Sequence, residues 1–123
     1  MKNNYLNKIY DLKNKIVVVT GSCGQLGYSM CDLFVKNGCK VIGLDNSIEL
    51  NKIKNVDYYD VDIREDKDVS NVFKTIFKKY HQIDILINNA GVSVFEPFEE
   101  RNEENFEWVM NVNLKRTFNC IQK

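Results

Sequence analysis

The five residues Ile-Val-Val-Val-Thr at 16–20 lead directly into a glycine-rich segment, T-G-S-C-G-Q-L-G, from Thr20 to Gly27. Leu26, Met30, Leu33 and Phe34 then recur at helical spacing, and Asn37-Gly38 supplies a helix stop. A strand, a tight turn and a helix in that order constrain the fold more than any other part of the chain. The β-branched run has no polar alternation, so it predicts a buried strand. The turn after it must place a helix N-terminus at the strand's carboxyl end.

The alternation continues downstream. Val41 to Leu44 reads as a second strand and Val56 to Val61 as a third, with a loop and a helical turn over 46–55. Val69, Val72, Phe73, Ile76, Phe77 and Tyr80 mark one apolar stripe, which makes 65–80 a helix. Ile83 to Ile87 reads as a fourth strand, and Pro97 lies in a polar loop. A last helix should begin after Asn102, a good N-cap, and run to the end. Strands and helices in this order imply parallel strands joined by right-handed crossovers, with helices on both faces. The expected fold is α/β: one domain over 1–123, a doubly wound (Rossmann-type) parallel sheet in an incomplete four-stranded version with flanking helices. Ligands of such sheets bind beyond the carboxyl ends of the strands, where strand order reverses.

Composition removes several classes. A chain of 123 residues, 44% apolar and 11% aromatic, suits one folded core and no second domain. Seventeen basic side chains balance seventeen acidic ones, so no cation excess favours nucleic acid as a partner. The longest aliphatic run, Ile16 to Val19, is too short to span a bilayer, and the N-terminus lacks the pattern of a secretory signal. No membrane partner is expected. Cys23, Cys31, Cys39 and Cys120 form no C-x-x-C pair, and the lone His81 is close to none of them. Neither a metal site nor a disulfide framework is expected, and reduced thiols fit a cytoplasmic location.

The chemistry concentrates at strand ends. In the first turn, Gly21, Gly24 and Gly27 allow a tight bend and close backbone approach to a pyrophosphate. Ser22, Cys23, Gln25 and Leu26 complete the turn and open a helix whose free N–H groups favour phosphate. An ordinary glycine-rich strand-to-helix turn would show the same spacing. The second strand ends in Asp45, eighteen positions after Gly27, where a carboxylate can accept both ribose hydroxyls of an adenosine. That charge would repel a 2′-phosphate, and Ser22, Cys23, Asn46 and Ser47 offer no cation to hold one. NAD is therefore favoured over NADP. Asp62 closes the third strand. It can accept from an adenine amino group or, more weakly argued, pair with Asp60 around a metal. The fourth strand ends in N-N-A-G, Asn88 to Gly91, where Asn89, Ala90 and Gly91 suit close backbone approach with side-chain amides holding the turn.

On the last helix, 100° per residue puts Asn113 inside an apolar stripe of Phe106, Val109, Met110, Leu114, Thr117, Phe118 and Ile121, with Asn111 well outside it. A buried amide must be hydrogen-bonded. That bond can serve a site or only fix helix packing. His81 lies at a helix end on the opposite edge of the sheet, which assigns it a structural or solvent-facing role. Cys23 reads as a small residue that fits its turn, while Trp108 and Tyr10-Asp11-Leu12 read as packing.

Taken together, T-G-S-C-G-Q-L-G at 20–27, Asp45, Asp62-Ile63, N-N-A-G at 88–91, V-N-L at 112–114 and D-L-K-N-K at 11–15 resemble the short-chain dehydrogenase/reductase family over nearly the whole chain. The G-x-x-G-x-x-G spacing of the turn leans toward the extended, epimerase-like branch, and N-N-A-G leans toward the main branch. The resemblance implies NAD(P)-dependent hydride transfer on a small-molecule alcohol or carbonyl substrate, with Asn113 the one member of the catalytic set represented here. It also implies a homo-oligomer built through the last helix. The family's tyrosine and lysine, Y-x-x-x-K, are absent: none of the six tyrosines has lysine four positions on. The expectation is thus the dinucleotide-binding half of an oxidoreductase, truncated before Y-x-x-x-K and inactive alone. The alternatives are a stand-alone, non-catalytic NAD-binding module and a non-functional truncated product whose fourth strand is an aggregation-prone edge.

Overall fold

The computed structural model describes residues 9–48 and 52–123. The described part of the 46–55 segment is loop and turn, and the centre of that segment, 49–51, lies outside the described residues. Four strands are present: β1 Ile16–Thr20, β2 Lys40–Asp45, β3 Val56–Asp60 and β4 Ile85–Ile87. They form one sheet in the order β3-β2-β1-β4, and every neighbouring pair is parallel. Helix α1 spans Gln25–Lys36 and α2 spans Asp66–Tyr80. The final helical stretch comprises α3 (Glu103–Met110), a π-helical turn (Asn111–Lys115) and α4 (Arg116–Gln122). Backbone angles at both junctions stay in the right-handed helical region, so the three pieces run on without a break.

β1 is the central strand, and all five of its residues are buried. Its alternate side chains enter two cores. Ile16 and Val18 pack with Ile42, Leu44, Val69, Val72, Phe73, Ile76 and Cys120 on one face. Val17 and Val19 pack with Leu12, Cys31, Cys39 and Val41 on the other. Helices on both faces explain why this strand shows no polar alternation. Val17, Val18 and Val19 are fully buried, each worth about 1.5–3 kcal/mol of apolar transfer.

Local chemistry sets the helix ends as expected. α1 stops at Asn37, and Gly38 follows at φ +83. The Gly38 N–H donates to the Val35 carbonyl, and the Cys39 N–H donates to that of Phe34. The Asn102 side chain accepts from the Asn105 N–H and caps α3.

Five expectations need correction. Of the apolar residues at helical spacing in α1, Phe34 packs against the core but Leu26 and Leu33 are exposed, and the buried residues of the helix are Gly27 and Cys31. Small side chains at those two positions let the helix lie close to the sheet. β3 ends one residue early, at Asp60. β4 starts at Ile85 rather than Ile83, because the Ile16 N–H turns to the Asp84 carboxylate at 2.7 Å instead of a strand carbonyl. On the last helix, Phe106, Leu114, Phe118 and Ile121 are more than half exposed, while Val112 and Cys120 are buried. Phe106, Met110, Leu114 and Phe118 still share one face and line one surface groove, across the π turn at 111–115, but among the described residues nothing packs over them. Asn113 is exposed, and the buried amide oxygen is that of Asn111. Trp108 is also 39% exposed and Tyr10 65%, so of the residues assigned to packing only Leu12 joins the core.

Candidate functional site

Strand order reverses between β1 and β4, whose carboxyl ends carry the two small-residue turns. Side chains tie these turns together. The Thr20 hydroxyl accepts from the Asn89 N–H at 3.1 Å and the Ala90 N–H at 3.0 Å. In return, the Asn89 side-chain amide donates to the Thr20 and Gly21 carbonyls, each at 3.0 Å. Gly21 has φ +64, and a Cβ there would fall 2.8 Å from the Ala90 Cα. A Cβ on Gly27 would fall 2.0 Å from the Gly21 carbonyl oxygen. The first and third glycines are thus demanded by the packing of turn against turn and helix against turn. Gly24 differs: a Cβ there meets only the Gly21 oxygen, at 3.4 Å, and otherwise open space.

Gly24 is also the N-cap of α1. No side chain caps this helix, and its first turn carries no acidic residue. By contrast, α2 and α3 each have two carboxylates in the first turn. The partial positive charge at the start of α1 therefore faces the carboxyl edge of the sheet with no counter-charge from the helix's own first turn.

Asp45, at the end of β2, is held beside that helix start. One carboxylate oxygen accepts from the Cys23 N–H and the other from the Ser47 N–H, both at 2.9 Å. Two residues beyond the end of β3, Asp62 accepts from the backbone N–H of Arg64 and from its guanidinium, at 2.6–2.9 Å. The Arg64 guanidinium holds the Asp62 carboxyl below the usual carboxylate range, with a smaller contribution from Arg116. Asn113 reaches back from the π turn to the loop after Gly91. Its Oδ1 accepts from the Val92 N–H at 2.8 Å, and its Nδ2 donates to the Val92 carbonyl at 2.9 Å. The amide is not buried, but its oxygen and its nitrogen are both bonded to the Val92 backbone, which fixes the exit of the N-N-A-G turn.

These elements surround a cavity of about 600 Å³. From the first turn, Gly21, Cys23, Gly24, Gln25 and Leu26 line it, joined by Asp45, Asp62 and Ile63 from the next two strand ends. Asn89, Ala90 and Gly91 line it from the fourth. Ser22 and Gly27 are buried and lie behind it, so their part is to support the turn. Asn113 acts on the cavity through Val92. Sequence reasoning missed Arg64, Trp108 and Val112 as lining residues, and missed the Thr20 hydroxyl as the tie between the turns. The signal for Thr20 was available: a hydroxyl residue at the end of a buried strand must find partners. Among the described residues no group of three or more His, Cys, Asp or Glu side chains could hold a metal ion. None of the described helices is long and apolar enough to cross a membrane.

A parallel sheet with an uncapped, glycine-cradled helix start at its switch point and a carboxylate after the second strand is a Rossmann-type domain. The chain belongs to the short chain dehydrogenase family, whose model matches residues 15–123. Over 123 aligned residues it is 32% identical to an NAD-dependent glycerol dehydrogenase of Listeria innocua, covering 94% of this chain and 48% of that protein. A short chain dehydrogenase of Leptospira borgpetersenii with bound NAD+ superposes with a TM-score of 0.82 at 34% identity, over 89% of this chain and 44% of that one. ElxO with NADPH bound superposes with a TM-score of 0.81 at 26% identity, over 89% and 48%. The chain spans about half the length of the curated relatives it matches.

Proposed function

We propose that this chain is the dinucleotide-binding half of an NAD-dependent oxidoreductase that transfers hydride between nicotinamide and a small alcohol or carbonyl substrate. The observation that carries this reading is the pairing of the uncapped α1 N-terminus with Asp45, the two held in register by the Cys23 N–H. The cavity residues fit the group. The helix start suits a pyrophosphate, and Asp45 suits a ribose diol. Asp62 and Ile63 at the end of β3 suit an adenine edge, and the N-N-A-G turn offers backbone close to the nicotinamide side. When bound, NAD supplies the hydride acceptor. The protein's own share is to bind and orient it and, through Asn113, to hold the Val92 backbone.

Asp45 supports NAD over NADP by charge. The known relatives do not decide this point, since the Leptospira enzyme holds NAD+ and ElxO holds NADPH. Isothermal titration of the chain with NAD and with NADP tests the reading: saturable one-to-one binding of NAD is expected, and no binding of either dinucleotide would overturn it. Residues 1–123 contain no Y-x-x-x-K, so turnover of alcohols or ketones by this chain alone is expected to be nil.

The exposed row Phe106, Leu114, Phe118 and Ile121 on the last helix fits a homo-oligomer interface in the intact protein. A monomer of the full-length enzyme in sedimentation would contradict it. Buried thiols at Cys31, Cys39 and Cys120 fit the reducing cytoplasm.

A further inference from the structure

The cavity is lined by three charged side chains among the described residues: Asp45, Asp62 and Arg64. Arg64 is the one cation, and it shares the cavity wall with Asp45, Asn46 and Ser47. A long guanidinium there is the natural partner for a phosphate on the adenosine ribose. In this structure it is committed elsewhere. Its Nε lies 2.9 Å from both Asp62 oxygens and its Nη2 lies 2.6 Å from Oδ2. Its backbone N–H donates to Oδ1 at 2.9 Å, so each oxygen of Asp62 accepts two bonds from the same residue. The backbone bond closes a short turn that leaves the guanidinium beside its own carboxylate.

We infer that Asp62 governs cofactor choice by sequestering Arg64, so that NADP is excluded twice: by repulsion from Asp45 and by denial of the one cation that lines the cavity among the described residues. The inference rests on the dinucleotide-site reading above and assigns Asp62 a role distinct from any contact with adenine. Contact with adenine affects NAD and NADP alike and cancels in the ratio of their affinities. Sequestration affects only the dinucleotide with the 2′-phosphate. With Asp62 ionised, Arg64 and Asp62 neutralise each other and Asp45 sets the local field. With Asp62 replaced by a neutral residue, the guanidinium is released and the net charge of the three lining positions rises from −1 to zero.

The test is a thermodynamic cycle on the full chain, reading the ratio of dissociation constants for NADP and NAD by titration calorimetry. Asp62→Asn should lower that ratio about two- to fivefold, the strength of the half-exposed ion pair that holds Arg64. Asp62→Ser should do the same, which guards against an asparagine that still holds the guanidinium. Asp62→Asn combined with Arg64→Gln should restore the ratio of the unmodified chain. Titration with adenosine 2′-monophosphate and 5′-monophosphate should show the same preference, localising the change to the 2′ position. An unchanged ratio in both Asp62 variants, with NAD still bound, overturns the inference and leaves the nucleotide-site reading standing. A lowered ratio that persists in the double variant also overturns it, because the gain would not come from Arg64. If the unmodified chain binds neither dinucleotide, the site reading itself fails and this inference falls with it.

Discussion

Gly27→Ala should destabilise the chain and Gly24→Ala should leave its stability nearly unchanged, although both remove a turn glycine. A Cβ on Gly27 would lie 2.0 Å from the Gly21 carbonyl oxygen, 2.8 Å from its carbon and 2.9 Å from the Asn89 Nδ2. The first two atoms are backbone and cannot swing aside. Relief requires α1 to move off the turn, at an overpacking cost of about 1–3 kcal/mol. The same movement disturbs the two bonds from the Asn89 amide to the Thr20 and Gly21 carbonyls, worth about 1 kcal/mol each. The helix propensity of alanine offsets about 1 kcal/mol. The net loss is about 2–4 kcal/mol, a large share of the 5–15 kcal/mol typical of a domain. Gly24 has φ −72 and ψ 167, angles any residue adopts, and a Cβ there meets only one atom, at 3.4 Å. Gly24→Ala should therefore change stability by less than about 0.5 kcal/mol, near the size of ordinary surface substitutions. Its methyl would still enter the cavity wall and abolish NAD binding. Urea unfolding followed by far-UV circular dichroism gives both stabilities, and calorimetry gives binding. A Gly27→Ala chain as stable as the parent would refute the packing argument. A Gly24→Ala chain that binds NAD normally would refute the assignment of that edge to the pyrophosphate.

Other outcomes follow from the same geometry. Asp45→Ala should weaken NAD more than NADP by about tenfold, the scale of one hydrogen bond to a charged group, and an equal effect on both would remove Asp45 from the ribose. Asn113→Leu cuts both bonds to Val92 and should speed amide hydrogen exchange at Val92 while leaving exchange in β1 unchanged. Alkaline pH should destabilise the chain. Burial pushes the Cys31 thiol up to about 12, and it raises Cys39 and Cys120 as well. An unfolded thiol titrates near 8.5, so the stability from Cys31 is complete below that pH and is lost as pH rises toward the folded value. By about pH 10 the loss from Cys31 alone reaches about 2 kcal/mol. Cys31→Ala should flatten the alkaline limb of a stability–pH curve, and an unchanged slope would contradict the burial argument.

What the sequence revealed and what it hid divide along the range of the interactions involved. The strand–turn–helix at 16–36, the stop at Asn37-Gly38 and the cap at Asn102 are decided within a few residues, and each lies where local chemistry puts it. The buried faces of α1 and of the last helix depend on what packs against them. For α1, small residues decided the matter: Gly27 and Cys31 face the sheet because only small side chains fit there, and a hydrophobicity pattern ranks Leu26 above Gly27 for the wrong reason. For the last helix, the apolar residues do share a face, but among the described residues nothing packs over it, and a side-chain period cannot say whether a partner surface is present.

Arg64 shows the same limit at the site. In sequence it is one more basic residue after a strand. It matters only because β3 ends beside β2, which brings the turn after Asp62 into the same cavity as Asp45. Asp45 was legible because its spacing from the glycine turn is set by one helix and one strand of ordinary length. Arg64 lay one crossover further on, beyond a loop whose length places no constraint on position. The two carboxylates at the ends of β2 and β3 then act on different partners. Asp45 is oriented by backbone N–H groups that cannot move away, so the position of its carboxylate is a fixed property of the site. Asp62 is paired with an exposed side chain that can move, so its effect on the cavity is adjustable by a single substitution.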